Sequence, residues 1–255
     1  MKAIVLAAGY ATRLRPLTDT VPKPLLPVGG RPMVDWIVEN IRGVPEIDGV
    51  HIVTNSRFAP AFEAWAAGSD VRVHDDGTFT NEDRLGAIGD LQLAIERAGI
   101  DDDLLVVAGD NLFDYRLSEY VSWWRTHGVS SGVAVYDCGD LELATHYGVV
   151  DLAADDRVLY FVEKPDDPSS TLCATATYLY AREHLPLVGR YLAEGHAPDQ
   201  SGSLVAWLYQ REPVYAYRFP GEWFDVGNHA QLLEADNRQR RLHGLPERGA
   251  YSLDP

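Results

Sequence analysis

"KAIVLAAGYATRLRPLTDTVPKPLLPVGG", residues 2–30, decides how the rest of the chain is read. Its first six residues are a short apolar run that reads as a buried strand and stops at Gly9. Behind the glycine come Arg13, Arg15 and Lys23, the last held between Pro22 and Pro24, with Asp19 as the only acidic residue of the stretch. The two prolines restrict the backbone on both sides of Lys23. A strand followed by a glycine turn exposes backbone N–H groups that can face an anion. Neither G-x-G-x-x-G nor G-x-x-x-x-G-K-[ST] occurs here, so two common phosphate-binding loops are excluded. Spacing alone leaves a solvated surface loop as an equal reading.

The basic stretch stands out because the chain is acidic. Its 255 residues carry 22 Lys and Arg against 38 Asp and Glu, a net charge of −16. That field disfavours duplex nucleic acid and anionic membrane surfaces as partners. It opposes small phosphorylated molecules too, unless a local basic cluster or a metal ion offsets it. No apolar run approaches the roughly 20 residues of a membrane span, and "KAIVLAAG" contains no signal-peptide cleavage region. Two cysteines, Cys138 and Cys173, lie far apart in sequence, which argues against a disulfide framework and for a cytoplasmic protein.

Outward from the opening run, strands and helices alternate. Pro32 stands where a helix begins, with Met33, Trp36, Ile37 and Ile41 at helical spacing. Residues 49–55, 71–74 and 103–109 read as strands. Residues 61–68 read as a helix, as does the segment bearing Leu85, Ile88, Leu91 and Ile95. This predicts an α/β fold with a mostly parallel sheet and helices on both faces. Ligands of such sheets bind beyond the carboxyl ends of the strands, where residues 8–18 and 109–111 fall. In the second half "SGVAVYDC", "YGVVDL", "RVLYFVEKP" and "CATATYLYA" read as closely spaced strands, with helices at 182–193, 203–210 and 229–242. "GVSSG" (128–132) matches G-x-S-x-G in the wrong context, with a helix before it and a strand after. The eight histidines form no zinc pattern. Of Trp123 and Trp124, helical spacing sends one to the core and leaves the other near the surface.

Taken together, "LAAGYATRLRPLT…VPKPLLPVGGRPM" resembles the signature of the sugar nucleotidyltransferases, L-A-x-G-x-G-T-R-x-x-P-x-T followed by P-K-x-L-x-P. "LGAIGDL", "VVAGDN", "YGVV", "FVEKP" and "WFDVGN" match in order, so the resemblance covers roughly residues 1–240. It implies a three-layer α/β/α Rossmann-like fold with a sugar-binding subdomain and no C-terminal β-helix. The nucleotide-binding part would span about 1–135, the sugar-binding part about 136–228, and a C-terminal helix about 229–242, all in one domain. The implied reaction joins a nucleoside triphosphate to a sugar 1-phosphate and releases pyrophosphate. dTTP or UTP with glucose 1-phosphate is the first pairing. Cytidylyl or guanylyl transfer to another sugar or alcohol phosphate stays open, as does a non-catalytic nucleotide-sugar sensor. Relatives often assemble, which extends the expectation to a homo-oligomer.

The resemblance also implies a site. Arg13 would grip the triphosphate and Lys23 would stabilise charge at the α-phosphate. Asp110 and Asp225 would hold Mg²⁺, which takes oxygen ligands. Leu6, Ala8, Gly9, Ala11 and Thr12 would cradle the nucleotide, while Asn81 would read the base and Gly86 would let it approach the backbone. Lys164 would hold the phosphate of the sugar and Glu163 its hydroxyls, within a wall of Tyr147, Gly148, Thr175, Tyr178 and Trp223. Ala11 and Ala176 stand where relatives carry glycine; Ala11 still offers a backbone N–H, so phosphate binding is expected to survive at some strain if the turn demands a positive φ, and Ala176 is expected to narrow the sugar pocket.

Overall fold

The computed structural model describes residues 1–254. Thirteen strands are formed: β1 (Lys2–Leu6), β2 (Pro27–Val28), β3 (Arg31–Pro32), β4 (Val50–Thr54), β5 (Val71–Asp75), β6 (Leu104–Ala108), β7 (Asn111–Phe113), β8 (Ser131–Asp137), β9 (Gly148–Leu152), β10 (Val158–Glu163), β11 (Leu172–Tyr180), β12 (Val214–Arg218) and β13 (Trp223–Asp225). The helices are α1 (Met33–Arg42), α2 (Ala59–Ala66), α3 (Ala87–Ala98), α4 (Leu117–Trp124), α5 (Leu141–Ala144), α6 (Pro186–Ala193), α7 (Ser201–Leu208) and α8 (His229–Leu242). None is long and apolar enough to cross a membrane.

The layers follow from alternation along the central strands. Ala3 and Val5 of β1 and Leu105 and Val107 of β6 pack with α1, α2 and α4 on one face. Their neighbours Ile4, Leu104 and Val106 pack with α3, α6 and α7 on the other. Strands buried on both faces must be apolar throughout, which is why "AIVL" and "LLVV" read as continuous runs. Trp124 is buried in the first layer, and Trp123 packs against it only partly buried.

β5, β4, β1 and β6 pair in parallel, and β11 then enters antiparallel to β6. β8 is antiparallel to β11 and β12 parallel to β8, so six of these seven strands point the same way. The sheet forks within β11. Leu172–Ala174 face Asp137–Val135, and Tyr178–Tyr180 face Val133–Ser131. Residues 175–177 therefore stand opposite Ala134 alone, a bulge that bends the strand. Beyond the bend the other edge of β11 changes partner, from β6 at Thr177–Tyr180 to β9 at Cys173. The β9–β10 hairpin is thereby held away from the parallel strands, and a cleft opens between the prongs.

A third cluster holds the opening loop in place. Leu14, Leu26, Val28 and Met33 pack with Leu112, Val226, and Leu232 and Ala235 of α8. Asp236 of α8, 1% exposed, accepts a hydrogen bond from the Gly29 N–H at 2.8 Å. Gly29 has a positive φ of 64°, and a Cβ there would meet Gln239 Cβ at 2.5 Å, so glycine is needed for contact with this helix. The expected helix at 182–193 is a 3₁₀ turn, Arg182–His184, followed by α6, which begins at Pro186. The expected 203–210 helix is α7, two residues earlier.

Candidate active site

Two cavities meet at the carboxyl ends of β1 and β6. One of about 240 Å³ is walled by Leu6, Gly9, Ala11, Lys23, Pro24 and Gly227. The other, about 260 Å³, lies in the fork, among Tyr147, Gly148, Glu163, Lys164, Ala176, Tyr178, Trp223 and Asp225. Arg13 and Asp110 line both.

The first cavity is shaped by backbone. A Cβ on Gly9 would meet nothing within 4 Å, so its face is open to the cavity. Ala11 lies in the left-handed region at φ 45°, ψ 45°, at the entry to a 3₁₀ turn, Thr12–Leu14. Glycine adopts that conformation freely, whereas alanine is strained there by about 1–2 kcal/mol. Ala8 and Thr12 are absent from the cavity wall. Ala8 is buried, and its carbonyl accepts from Asn55 Nδ2 at 2.8 Å, which ties the loop to the end of β4.

A polar chain crosses the floor. Lys23, 8% exposed, donates to Asp110 Oδ2 at 2.7 Å. Asn111 Nδ2 donates to Asp110 Oδ1 at 2.8 Å, and the Trp223 indole N–H donates to Asn111 Oδ1 at 2.6 Å, fixing the amide's orientation. β13 pairs with β7 so that Asp225 stands opposite Asn111, which brings the second aspartate to the first across 115 residues of chain. Burial pushes the Asp110 carboxyl up, but the Lys23 ammonium and the Asn111 amide outweigh it and hold the group below its ordinary range. Burial and the neighbouring Asp110 charge raise Asp225, only partly offset by Lys23, Arg13 and Lys164. The five groups thus share one electrostatic environment.

The Asp225 carboxylate accepts no side-chain or backbone hydrogen bond among the described residues, although two carboxylates side by side repel. This oxygen-only donor set suits a hard divalent cation, which would relieve the repulsion. No cluster of three or more His, Cys, Asp or Glu is present among the described residues, so such an ion would also need oxygens from water or substrate.

In the fork, Glu163 lies between two glycines. A Cβ on Gly148, its register partner, would meet Glu163 Oε2 at 2.9 Å, and one on Gly202 of α7 would meet it at 1.8 Å. Burial raises the Glu163 carboxyl despite the adjacent Lys164. Lys164 itself has φ 49°, anchored by its N–H to the Tyr147 carbonyl at 3.0 Å. Tyr147 and Trp223 meet edge to face with ring centroids 4.7 Å apart. The Tyr178 hydroxyl and Ser201 Oγ lie 3.0 Å apart.

Several expected residues sit elsewhere. Thr175 is fully buried and donates to the Ala134 carbonyl at 3.0 Å, filling the gap left by the bulge rather than facing the cleft. Ala176, at φ 51°, presents its methyl there instead. Asn81 lies on an exposed loop outside both cavities. At Gly86 the Pro198–Asp199 backbone crosses 2.7 Å from a would-be Cβ, which leaves no room for a side chain in that direction. Asn111, Gly227, His146 and Ser201 line the cavities without having been anticipated. The first two lie inside "GDN" and "WFDVGN", where a polar or glycine residue beside a strand-end aspartate was the available signal.

A family profile described as nucleotidyl transferase matches residues 2–241. The bifunctional protein GlmU of Methanocaldococcus jannaschii is 26% identical over 236 residues, covering 92% of this chain and 53% of that protein. A UTP–glucose-1-phosphate uridylyltransferase of Synechocystis sp. is 31% identical over 242 residues, covering 89% of this chain and 60% of that protein. The chain therefore spans little more than half the length of these relatives. A Bacillus anthracis protein assigned as a glucose-1-phosphate thymidylyltransferase, solved with a sucrose, superposes with a TM-score of 0.78 at 25% identity, over 94% of this chain and 95% of that one. Profile, relatives and fold agree over nearly the whole chain, and it belongs to the nucleotidyl transferase family.

Proposed function

We propose that the chain is a sugar-1-phosphate nucleotidyltransferase, with dTTP or UTP and glucose 1-phosphate as its first substrate pair. An oxygen of the sugar phosphate attacks the α-phosphorus of the nucleotide, the bond to the β-phosphate oxygen breaks, and pyrophosphate leaves. Both reactants are anions, so the work is alignment and charge neutralisation. The triphosphate enters the cavity walled by Leu6, Gly9 and Ala11, whose backbone faces the phosphates. The sugar phosphate enters the fork, where Lys164 meets its phosphate and Glu163 its hydroxyls, beside Tyr147, Tyr178 and Trp223. Arg13 borders both cavities and takes charge from the β- and γ-phosphates as pyrophosphate forms. Lys23 stabilises the crowded oxygens at the α-phosphorus. Asp110 and Asp225 would hold Mg²⁺, which would supply further neutralisation where these cations fall short.

The observation that carries this reading is that the two cavities share Arg13 and Asp110, so groups bound in each would meet at that seam. The test is a pyrophosphate-release screen of the common nucleoside triphosphates against a panel of sugar 1-phosphates, with and without Mg²⁺. Turnover requiring both substrates and the metal is expected. Tight binding of nucleotide sugars with no turnover for any pair would replace this reading with that of a sensor.

A further inference from the structure

Cys138 and Cys173 lie 35 residues apart in sequence, yet their sulfurs are 3.4 Å apart and both are free thiols. The sheet brings them together. Cys173 stands opposite Tyr136 in the β8–β11 ladder. The ladder continues one step past β8, where the Cys138 N–H donates to the Thr171 carbonyl at 2.9 Å. Cys138 is thus opposite Thr171, two positions from Cys173, and the two side chains occupy a diagonal on the same face. They share a small cluster with Ala144 and Val149, against which Tyr147 packs. Tyr147 lines the cavity in the fork, so the thiols lie directly behind its wall.

The two sulfurs differ in access. Cys173 is fully buried, and burial together with the neighbouring Cys138 sulfur pushes its thiol up. Cys138 is partly exposed, follows the end of β8, and its thiol donates to the Asp140 carbonyl at 3.2 Å. That is the arrangement of an attacking and a resolving thiol, since an external disulfide must reach the first sulfur and only the neighbouring sulfur need reach the second.

We propose that Cys138 and Cys173 are a redox modification site, closing a reversible intramolecular disulfide by exchange with a small-molecule disulfide and bracing the wall that carries Tyr147. Cys138 thiolate attacks the external disulfide, forming a mixed disulfide and releasing one external thiolate. Cys173 loses its proton, attacks the Cys138 sulfur and expels the second external thiol. Two protein thiols are oxidised and one external disulfide is reduced to two thiols, so protons and electrons balance. A sulfur–sulfur bond is shorter than the present 3.4 Å contact by about 1.4 Å, and closing it on a sheet diagonal calls for side-chain rotation together with a small backbone shift at Cys138, which lies one residue past the end of β8.

The test treats the full chain with oxidised glutathione, then measures intact mass, free thiols after unfolding, and migration on a non-reducing gel. The expected product is a monomer that has lost two hydrogens and both thiols, yields a peptide linking Cys138 to Cys173, and reverts with dithiothreitol. Retention of both thiols, arrest at a glutathione adduct, or dimers as the only product would overturn the proposal. A second arm rests on the function proposed above: oxidation should change KM for the sugar phosphate about threefold or more in the wild type and leave Cys138→Ser unaffected. An equal response in both proteins would refute the link to Tyr147. If no substrate pair turns over, the functional reading fails, and the mass measurement still decides whether the bond forms.

Discussion

Replacing Ala11 and Ala176 by glycine should make the protein more stable, against the usual direction of such changes. Both residues have left-handed backbone, at φ 45° and 51°. For an alanine that conformation costs about 1–2 kcal/mol. Glycine removes the strain, but its freer unfolded chain takes back about 0.5–1 kcal/mol. The net gain is about 0.5–1 kcal/mol at each site, and about 1–2 kcal/mol for the pair if they act independently. In a chain of this length each kcal/mol moves Tm by about 2–4 °C, so the double variant should melt about 2–8 °C higher. Ala94→Gly, in the interior of α3 with right-handed backbone, provides the contrast and should lose about 1 kcal/mol or more. Differential scanning calorimetry of Ala11→Gly, Ala176→Gly, their double variant and Ala94→Gly is the assay. A lower Tm for Ala11→Gly and Ala176→Gly, parallel to that for Ala94→Gly, would show that the strain is absent and refute the reasoning. The third residue of the site with positive φ, Lys164, is left out of this test, because the proposed function uses its side chain in the cleft. Non-glycine residues held with positive φ are rare, and three of them line one site.

Two further outcomes follow from buried polar groups. His51 and His74 hydrogen-bond to each other between β4 and β5 at 2.9 Å; burial first, then the His74 charge, lowers His51 from 6.5 to about 4. The unfolded chain therefore binds more protons than the fold between these values, so the stability is fully present above pH 6.5 and declines as pH falls towards about 4. Urea midpoints measured from pH 7.5 to 4 should show this slope, and His51→Gln should flatten it; an unchanged slope would refute the assignment. Asp236→Ala leaves the Gly29 N–H without its acceptor and removes the carboxylate beside the buried Arg240 and half-buried Arg248 guanidinium groups, 3.9 and 3.8 Å away. A loss of about 3 kcal/mol is expected in the urea midpoint with unchanged m, and a loss below about 1 kcal/mol would show that α8 does not hold the opening loop.

The parts of this fold that were legible in the sequence are those decided locally. β1 and β6 announce themselves as apolar runs because they are buried on both faces, and α1 by helical spacing behind Pro32. The opening loop was legible as a cation-bearing glycine turn, and the resemblance to known signatures supplied roles for residues that spacing could not connect. What stayed hidden depends on pairing between distant strands. The bulge at residues 175–177 arises because β11 must serve β6 and β9 on one edge, and that turns Thr175 inward and Ala176 into the cleft. Nothing near Gly86 in sequence reveals the Pro198–Asp199 backbone that closes its Cβ direction. The Cys138–Cys173 contact is likewise a product of ladder register, invisible in a spacing of 35. Asn55 and Asp236, which fix the opening loop from β4 and α8, belong to no motif that was read.

The central claim is that Asp225 and Asp110 act together, with Arg13, Lys23 and Lys164 around them, on phosphates that meet between the two cavities. The direct measurement is steady-state pyrophosphate release by Asp225→Asn with the best substrate pair and Mg²⁺, alongside its melting temperature. Because burial and Asp110 disfavour the Asp225 charge, the amide should fold at least as stably as the wild type, while turnover falls by about 10²–10³-fold. A variant that folds normally and turns over within a few-fold of the wild type would contradict the account.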